Sequence, residues 1–434
     1  MPQVFESFIS VGIDIASDFS EMAMVLPNQQ FLEKKTFRIY HSKQDSLSAA
    51  VRKIKKAEEE NNMKTRIFME STGIYHYPLF RYLTDAELDV YVINPLITNS
   101  NKNSNIRKVK NDRVDAKSIA LVGLRPELKV SKLPQELVMD FRNLCREYYY
   151  LVDEKAAFVI KLTAQIRIAF PQFKGIFSTL TAKTALAILK DYGTPKKIIE
   201  ADKGALVSTI ATLSRKGMAV AEKKYEKLLR AATDALTFSA GVDSNFHLIA
   251  QYIRHIEHYQ AEIDYLLSKM KELVKTNEGV NFVKQVSLLE TIKGVGFLSA
   301  LTLMCEIGDF EAFKKPKQLF AYFGLDPSVN QSGNFNGTRM KMSKRGSRIA
   351  RRVLFMVAVQ SIGTTLKQVP KNPVLHRYYH DKLSSGKTKM CALGAIMHKI
   401  CNIIFAVLRD ERPYVLKTPE QHQIERQASE IKAA

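Results

Sequence analysis

The stretch that decides the fold is SFISVGIDIA, from Ser7 to Ala16, a short hydrophobic run that predicts a β-strand. A carboxylate, Asp14, lies inside this run between apolar neighbours, where an unpaired charge would be costly. The next two segments, SEMAMVLP and QFLEKKTFRIYH, also predict strands, and the short turns that join them suit antiparallel pairing. The chain therefore begins with three predicted antiparallel strands, and the first of them carries an acid.

Helical and strand patterns alternate after the third strand. Apolar residues recur at helical spacing between Gln44 and Asn61. TRIFMES then predicts a fourth strand, YPLFRYLTDA a helix, LDVYVINP a fifth strand and DRVDAKSIALVGL a closing helix. Three strands followed by helix, strand, helix, strand and helix is the order of an RNase H-like α/β fold. We predict this fold for residues 1–130.

Four acids fall on separate elements of the predicted fold. Asp14 lies in the first strand and Glu70 at the end of the fourth, whereas Asp112 and Asp115 project from one face of the closing helix. A two-metal nuclease needs three or four such carboxylates, because Mg²⁺ prefers oxygen ligands. Taken singly, Asp112 would suit a helix N-cap and Asp115 the positive end of the helix dipole. Taken together, the four acids predict a catalytic site for two Mg²⁺ ions.

The charge of the chain points to a polyanionic partner. The 434 residues carry a formal net charge of +21, and the isoelectric point is near 9.6. Nucleic acid is the leading partner, because neutralised phosphates release counterions; the alternatives are an anionic membrane surface or a charge without a function. The four cysteines include no C-x-x-C pair, which fits a reducing cytoplasm. GVGFLSALTLMC, taken as the longest apolar run, is too short to span a bilayer, so no membrane partner is predicted.

Residues 131–283 have the pattern of long, coiled-coil-like helices around a lysine-rich insertion at residues 171–241. Apolar residues recur in alternating steps of four and three between Leu137 and Ala169, and again between Ile249 and Val274, with polar Gln260 at one seam position. Three arrangements fit these stripes. The two helices pair with each other, each helix pairs across a dimer, or both are core stripes of a helical bundle.

Residues 284–417 predict a mainly helical C-terminal domain, and residues 418–434 a polar tail. LLETIKGVGFLSALTLM resembles a helix-hairpin-helix, whose turn would offer backbone N–H groups to a phosphate; a hairpin with only a packing role is the alternative. Arg348, Arg351 and Arg352 share a helical face that predicts a phosphate-binding surface. The full predicted nucleic-acid-binding set is Arg107, Lys108, Lys110, Arg113, Lys293, Gly294, Gly296, Arg339, Lys341, Lys344, Arg345, Arg348, Arg351 and Arg352.

A serine in the glycine-rich segment NQSGNFNG, Ser332, could attack phosphorus as a nucleophile if cations lowered the pKa of its hydroxyl. The chemistry alone does not single it out, because Ser328, Ser343 and Ser347 lie nearby.

The motifs resemble those of one family, the insertion-sequence transposases that pair a RuvC-like DEDD domain with a serine-containing C-terminal domain and act as bridge-RNA-guided recombinases. VGIDIA, MESTGIYHYPL with VINP after it, and KNDRVDA are similar to the three acidic motifs of that family, in order. LETIKGVG, FEAFKKPKQLFAYFGLDPSVNQSG and MSKRGSRIARRVL are similar to its C-terminal signature. The chain departs from many relatives at Asn111, where they have Thr, and in the length of residues 171–241.

The resemblance implies that Asp14, Glu70, Asp112 and Asp115 are the catalytic acids and that Ser332 is the nucleophile. It also implies that the protein cuts and rejoins donor and target DNA, uses a structured guide RNA, and forms a dimer or tetramer. One alternative is a Mg²⁺-dependent junction endonuclease that hydrolyses DNA without a serine nucleophile. A second is a non-enzymatic protein that only coats nucleic acid.

Overall fold

The structure is a computed structural model. It describes residues 7–70, 75–93, 111–125, 136–327, 331–332, 335–336, 342–418, 420–421 and 423–424. The chain forms two compact units, Met1–Gln135 and Glu136–Ala434.

The N-terminal unit is built on a mixed five-stranded sheet. The elements formed by its described residues, in chain order, are β1 (Ile9–Ile15), β2 (Phe19–Val25), β3 (Phe37–Tyr40), α1 (Gln44–Asn61), β4 (Thr65–Glu70), α2 (His76–Asp85), β5 (Val90–Ile93) and α3 (Asp112–Gly123). The strand order across the sheet is β3-β2-β1-β4-β5. β1, β2 and β3 are antiparallel, whereas β4 and β5 run parallel to β1. This arrangement confirms the predicted RNase H-like fold.

The third strand is shorter than the prediction. Only Phe37–Tyr40 pairs continuously with β2, and Phe31 makes an isolated bridge to Val25. The charged residues between them, Glu33, Lys34 and Lys35, are exposed and leave the sheet. The predicted fifth strand extends to residue 95, but residues 94 and 95 lie outside the described part of the chain.

The two faces of the sheet have different covers. Odd-numbered residues of β1, such as Val11 and Ile13, pack in one core with α1 and α2. Even-numbered residues of β1 face α3, because the Ser10 hydroxyl donates a hydrogen bond to the Ala120 carbonyl at 2.6 Å. The approach is closest at Gly12, where an added Cβ would lie 2.2 Å from the backbone nitrogen of Ala120. Glycine at this position therefore lets α3 lie directly on β1.

Gly12→Ala is expected to lower the free energy of unfolding by about 3 kcal/mol, the upper part of the usual range for overpacking. The added methyl group would meet backbone atoms of Ala120 and Ala116, which cannot move away by a rotamer change. Urea unfolding followed by circular dichroism measures the effect. Gly279→Ala is the matched control, because a Cβ there meets no atom within 4 Å. Equal unfolding midpoints for the two variants would contradict the close packing of α3.

The C-terminal unit is mainly helical in its described residues. Its helices are α4 (Glu136–Ala169), α5 (Lys183–Asp191), α6 (Pro195–Glu200), α7 (Lys203–Ser214), α8 (Met218–Thr237), α9 (Asp243–Thr276), α10 (Asn281–Glu290), α11 (Phe297–Ile307), α12 (Pro316–Tyr322), α13 (Arg348–Ile362), α14 (Pro373–Ser384) and α15 (Lys389–Asp410). A short two-stranded hairpin, β6 (Gln331–Ser332) and β7 (Phe335–Asn336), lies between α12 and α13.

The two long helices, α4 and α9, pair with each other in an antiparallel hairpin. Both have 34 residues. The Cys145 thiol lies 3.7 Å from the Met270 sulfur near one end, and the Asn245 amide donates to Gln165 at 2.8 Å near the other. Gln260 contacts Lys155 across the pair, so the polar seam position holds a polar contact. Of the three predicted arrangements, the structure has pairing within one chain.

The helical hairpin joins two separate cores. At one end, residues of α4 and α9 pack with α5 to α8, which form the lysine-rich insertion. At the other end, Phe141, Cys145 and Met270 pack with α10 to α15. Buried residues on both sides of the predicted boundary at 283/284 thus share one core. The four-part division of the chain stays a prediction.

The prediction that GVGFLSALTLMC is the longest apolar run is wrong, because α15 is a longer apolar helix. In the described residues, α15, with 22 residues, is long and apolar enough to cross a membrane by length and composition alone. Its buried residues, including Ile396, Ile400 and Ile404, belong to the core at the base of the hairpin.

Candidate functional site

The sheet places Asp14 and Glu70 side by side. β1 and β4 are parallel and in register up to Ile13 and Met69, so the two acids follow at the carboxyl ends of neighbouring strands. Asp14 has the same parity in β1 as Ser10 and Gly12, which face α3. Glu70 has the same parity as Phe68, which packs with Ile119 and Val122 of α3. Both acids therefore lie on the face that α3 covers.

α3 brings Asp112 and Asp115 to the same end of this face. The helix runs opposite to β1, since Ala120 contacts Ser10, and Ala116 and Ala120 both contact Gly12. The next turn of α3 therefore lies towards Asp14, and this turn carries the two acids. Asp115 is buried, whereas Asp112 is exposed. The backbones of all four predicted acids therefore lie towards the same corner of the sheet, which we call the acid corner (Asp14, Glu70, Asp112 and Asp115).

The N-cap of α3 is Asn111, and Asp112 is the first helical residue. The Asn111 side chain accepts a hydrogen bond from the backbone N–H of Arg113 at 3.1 Å. The capping role that would have explained Asp112 structurally is therefore filled by its neighbour. Thr is also an effective N-cap, so Asn111 fills a role that Thr could fill at this position.

The carboxylate oxygens of the four acids suit a hard divalent cation, but they do not converge on one position. Only carboxylate oxygens are offered, and Glu70 and Asp115 are 9% and 7% exposed. Asp14, Glu70 and Asp115 each interact with neighbouring groups. Within the described part of the chain, no three Asp, Glu, His or Cys side chains are close enough to hold a metal ion. Carboxylates repel one another at short range, and a bound cation would offset that repulsion.

Two further charged residues, Glu21 and Arg38, lie beside the acids and are absent from the predicted site. Glu21 of β2 pairs directly with Asp14, and Arg38 of β3 pairs directly with Glu21. Glu21 is 1% exposed and accepts hydrogen bonds from Arg38 at 2.8 Å and from Thr36 at 2.6 Å. This hydrogen bonding raises the pKa of the Arg38 guanidinium above its usual value. A Glu and an Arg inside predicted strands were the available signal, but their alignment with Asp14 depends on strand register.

Ser332 lies in the β6–β7 hairpin, where its backbone pairs with Phe335. The two ends of this segment contact each other and form its base. The Ser343 hydroxyl donates to Asp326 at 2.5 Å, and the Lys344 N–H donates to the Gly324 carbonyl at 2.9 Å. Gly346 approaches this base so closely that an added Cβ would lie 2.0 Å from the Tyr322 carbonyl oxygen. These contacts therefore hold both ends of the segment that carries Ser332 in place.

The described rival serines have structural contacts. The Ser343 hydroxyl is bound to Asp326, and the Ser347 hydroxyl caps α13 by accepting a hydrogen bond from the Ala350 N–H. Ser328 lies outside the described residues.

The predicted helix-hairpin-helix is formed by α10, α11 and the turn between them. Gly294 has a φ of +99°, and an added Cβ there would lie 2.6 Å from the Ser361 hydroxyl. The turn is therefore packed against α13 on one side. Gly296, the N-cap of α11, has open space around it, and Lys293 is exposed. The helix N-terminus is accessible to an anion.

Some side chains of the predicted basic surface at α13 are exposed, and others are bound to neighbouring groups of the protein. Arg348 is exposed, as are Lys344 and Arg345 before it. Arg351 donates to the carbonyls of Phe323 and Gly346, and burial lowers the pKa of its guanidinium. This arginine braces the base of the serine segment.

Arg352 is also engaged. It forms an ion pair with Asp153 at 2.8 Å and lies 5.0 Å from the centre of the Tyr149 ring. In the N-terminal unit, Arg113 is exposed. The remaining predicted basic residues, Arg107, Lys108, Lys110, Arg339 and Lys341, lie outside the described residues.

Two family models match the chain. The model for the DEDD transposase domain of IS110 elements, described as a transposase, matches residues 11–171. The model described as the transposase IS116/IS110/IS902 family matches residues 286–380. Together they cover more than half of the chain.

Individual relatives agree with these matches. A pilin gene-inverting protein of Moraxella lacunata is 31% identical over 37% of this chain and 47% of its own length. The insertion element IS900 uncharacterized 42 kDa protein of Mycobacterium paratuberculosis is 23% identical over 70% of this chain and 73% of its own. The transposase for insertion sequence element IS1111A of Coxiella burnetii is 28% identical over 34% of this chain and 37% of its own. The match thus spans about half the length of the first of these curated relatives.

A solved structure of T. thermophilus RuvC in complex with a Holliday junction substrate matches with 12% identity. It covers 26% of this chain and 91% of RuvC, with a TM-score of 0.20. The motifs at both ends of the chain and the two family models lead to the same result, and the chain belongs to the IS110 family of transposases.

Proposed function

We propose that this protein is a DNA transposase that cuts and rejoins the ends of an insertion sequence and a target site. The observation that carries the proposal is the placement of Asp14, Glu70, Asp112 and Asp115 on one face of an RNase H-like sheet. Membership of a transposase family supports it, and the net charge of +21 supports DNA as the substrate. The protein would act in the cytoplasm.

The four acids would hold two Mg²⁺ ions. When bound there, such ions supply charge stabilisation for the attacking and leaving oxygens of a phosphoryl transfer. The contribution of the chain is to present oxygen ligands from three elements, β1, β4 and α3, whose positions the sheet and the Gly12 contact fix. The side chains would have to close around the ions.

Ser332 would be the nucleophile. Its Oγ attacks the scissile phosphorus, so that an Oγ–P bond forms while the bond from phosphorus to the leaving deoxyribose oxygen breaks, and the serine proton passes to that oxygen. A hydroxyl group of a second DNA strand then attacks the same phosphorus, and the serine hydroxyl is regenerated. The exchange conserves the number of phosphodiester bonds, so rejoining needs no external energy source.

Exposed cations of the C-terminal unit would hold the DNA backbone. Lys344, Arg345 and Arg348 follow the serine segment, and Lys293 lies beside the open N-terminus of α11. Arg351 would act indirectly, since its guanidinium is bound to backbone carbonyls.

Guidance by a structured RNA and assembly into a dimer or tetramer complete the proposal. If an RNA selects the DNA, the full-length protein purified from cells that carry the whole element should contain one discrete RNA species. Sequencing of that RNA, and of the DNA junctions formed with donor and target DNA, tests this. Junctions should disappear after RNA removal and return when the RNA is added. Recovery of random cellular RNA, with unchanged junction formation after its removal, would contradict the proposal.

A further inference from the structure

A row of charged residues crosses the α3-covered face of the sheet and continues beyond the predicted acids. Asp14 on β1 is opposite Glu21 on β2, and Glu21 is opposite Arg38 on β3. Directly paired residues on antiparallel strands project to the same face. Since neighbouring strands are about 4.8 Å apart, Arg38 begins about 10 Å from Asp14. The charge along the row therefore changes from negative at Asp14 to positive at Arg38 over about 10 Å, a distance that one DNA strand can span.

Glu21 is the anchor of the positive end of the row. Its carboxylate is 1% exposed, and a buried charge is stable only when it is paired and hydrogen-bonded. One carboxylate oxygen accepts a hydrogen bond from Arg38 Nε at 2.8 Å and forms an ion pair with Arg38 Nη2 at 2.8 Å. The other oxygen accepts a hydrogen bond from the Thr36 hydroxyl at 2.6 Å. Arg113, in the first turn of α3, approaches the first oxygen at 3.8 Å. Three elements thus meet at this one acid.

The side chains of both arginines are partly accessible to solvent. The side chain of Arg38 is 38% exposed and that of Arg113 is 64% exposed. Arg38 is also fixed from one side by the Phe19 ring, 4.1 Å from its guanidinium carbon. Two cations share one carboxylate, so the cluster has a surplus positive charge beside the four acids. A guanidinium held on one edge presents its remaining N–H groups in a fixed geometry that matches phosphate oxygens.

We propose that Arg38 and Arg113, held by Glu21, form a phosphate-binding site for the DNA strand that lies across the acid corner. The site takes a backbone phosphate near the scissile one and thereby sets where the strand crosses Asp14. Glu21 is a positioning residue, because it acts through the two arginines. The inference rests on the proposed function, since it takes DNA as the ligand.

The test is the salt dependence of DNA binding, measured by fluorescence anisotropy with a labelled 30-base-pair duplex, the full-length protein and EDTA in place of metal. Arg38→Ala and Arg113→Ala should each weaken binding and lower the slope of log Kd against log salt concentration by about one, the change expected for one lost phosphate contact. Arg52→Ala, which removes an equal charge from an exposed position on α1, is the matched control and should leave the slope unchanged.

Glu21→Gln separates the proposal from a general effect of charge. This change makes the protein more positive, so a general attraction predicts tighter binding, whereas loss of the anchor predicts weaker binding. Glu33→Gln removes an equal negative charge from an exposed position of the same unit and is the matched control, which should not bind more weakly than the wild type. If Glu21→Gln does not fold, Arg38→Lys is the second variant. It retains the charge but lacks the planar guanidinium that contacts Glu21 through two nitrogens, so it should bind DNA more weakly.

Two results would overturn the inference. In the first, Arg38→Ala and Arg52→Ala have the same slope. In the second, Glu21→Gln or Arg38→Lys binds at least as tightly as the wild type. Tighter binding to a matched RNA duplex, with the same dependence on Arg38, would also reject DNA as the ligand. Because no metal is present, the outcome is independent of cleavage, and an absence of cleavage with the expected slopes would count only against the proposed function.

Discussion

Asp14→Asn and Asp115→Asn should each reduce Mg²⁺-dependent strand cleavage by more than about 100-fold. Loss of a second-sphere partner of a metal commonly costs 10–100-fold, and a direct ligand should cost more. Binding of DNA should persist, because the exposed cations of the C-terminal unit are unchanged. The measurement is a time course of cleavage on element-end DNA at saturating protein, with binding followed separately.

Asp18→Asn is the matched control for these variants. Asp18 is exposed in the turn after β1, so the change removes the same charge from the same unit. The control should cleave at the wild-type rate. Undiminished cleavage by both Asp14→Asn and Asp115→Asn would remove the two-metal proposal.

Ser332→Ala should eliminate the covalent protein–DNA adduct and, with it, strand rejoining. Without this hydroxyl, the hairpin offers no nucleophile that could form the covalent link to phosphorus on which rejoining depends. Adduct formation is measured by the shift of labelled DNA on a denaturing gel and by its sensitivity to protease. The folded state should be retained, because the substitution removes one hydroxyl from a two-residue strand.

Ser347→Ala is the matched control in the C-terminal unit. It removes the N-cap of α13, which should cost about 1 kcal/mol of stability but leave the adduct intact. An adduct that persists in Ser332→Ala would show that the nucleophile is misassigned, and Ser328 and Ser343 would be the next residues to replace. Mixing Ser332→Ala with Asp14→Asn tests whether serine and acids act from different chains, in which case some activity should return.

Much of the N-terminal fold could be predicted because its signals are local. Alternation of apolar residues, short turns and helical spacing predicted the five strands and three helices that its described residues form, and the fold order then placed Asp14 and Glu70 on adjacent strands. The limits of β3 could not be predicted, since the charged residues before Phe37 leave the sheet without a proline or glycine to mark the break.

The site was predicted less completely than the fold, because parts of it depend on contacts between distant segments. Glu21 and Arg38 join the acid corner only through the register of three strands. Arg351 has the helical spacing of a phosphate-binding residue, but its guanidinium is bound to carbonyls that lie 5 and 28 residues away. Similarly, the capping role of Asn111 depends on where α3 begins.

The chemical identity of the DNA end after cleavage tests most directly whether Ser332 becomes linked to DNA. Wild-type protein is incubated with element-end DNA and Mg²⁺, the DNA is digested, and the peptides are analysed by mass spectrometry. If Ser332 is the nucleophile and the acids hold the metal, a nucleotide should be linked through phosphate to Ser332, only when the divalent metal is present and not in Asp14→Asn. Cleaved DNA with free phosphate and hydroxyl ends, and no nucleotide on any peptide, would contradict this assignment and indicate hydrolysis by the acids alone.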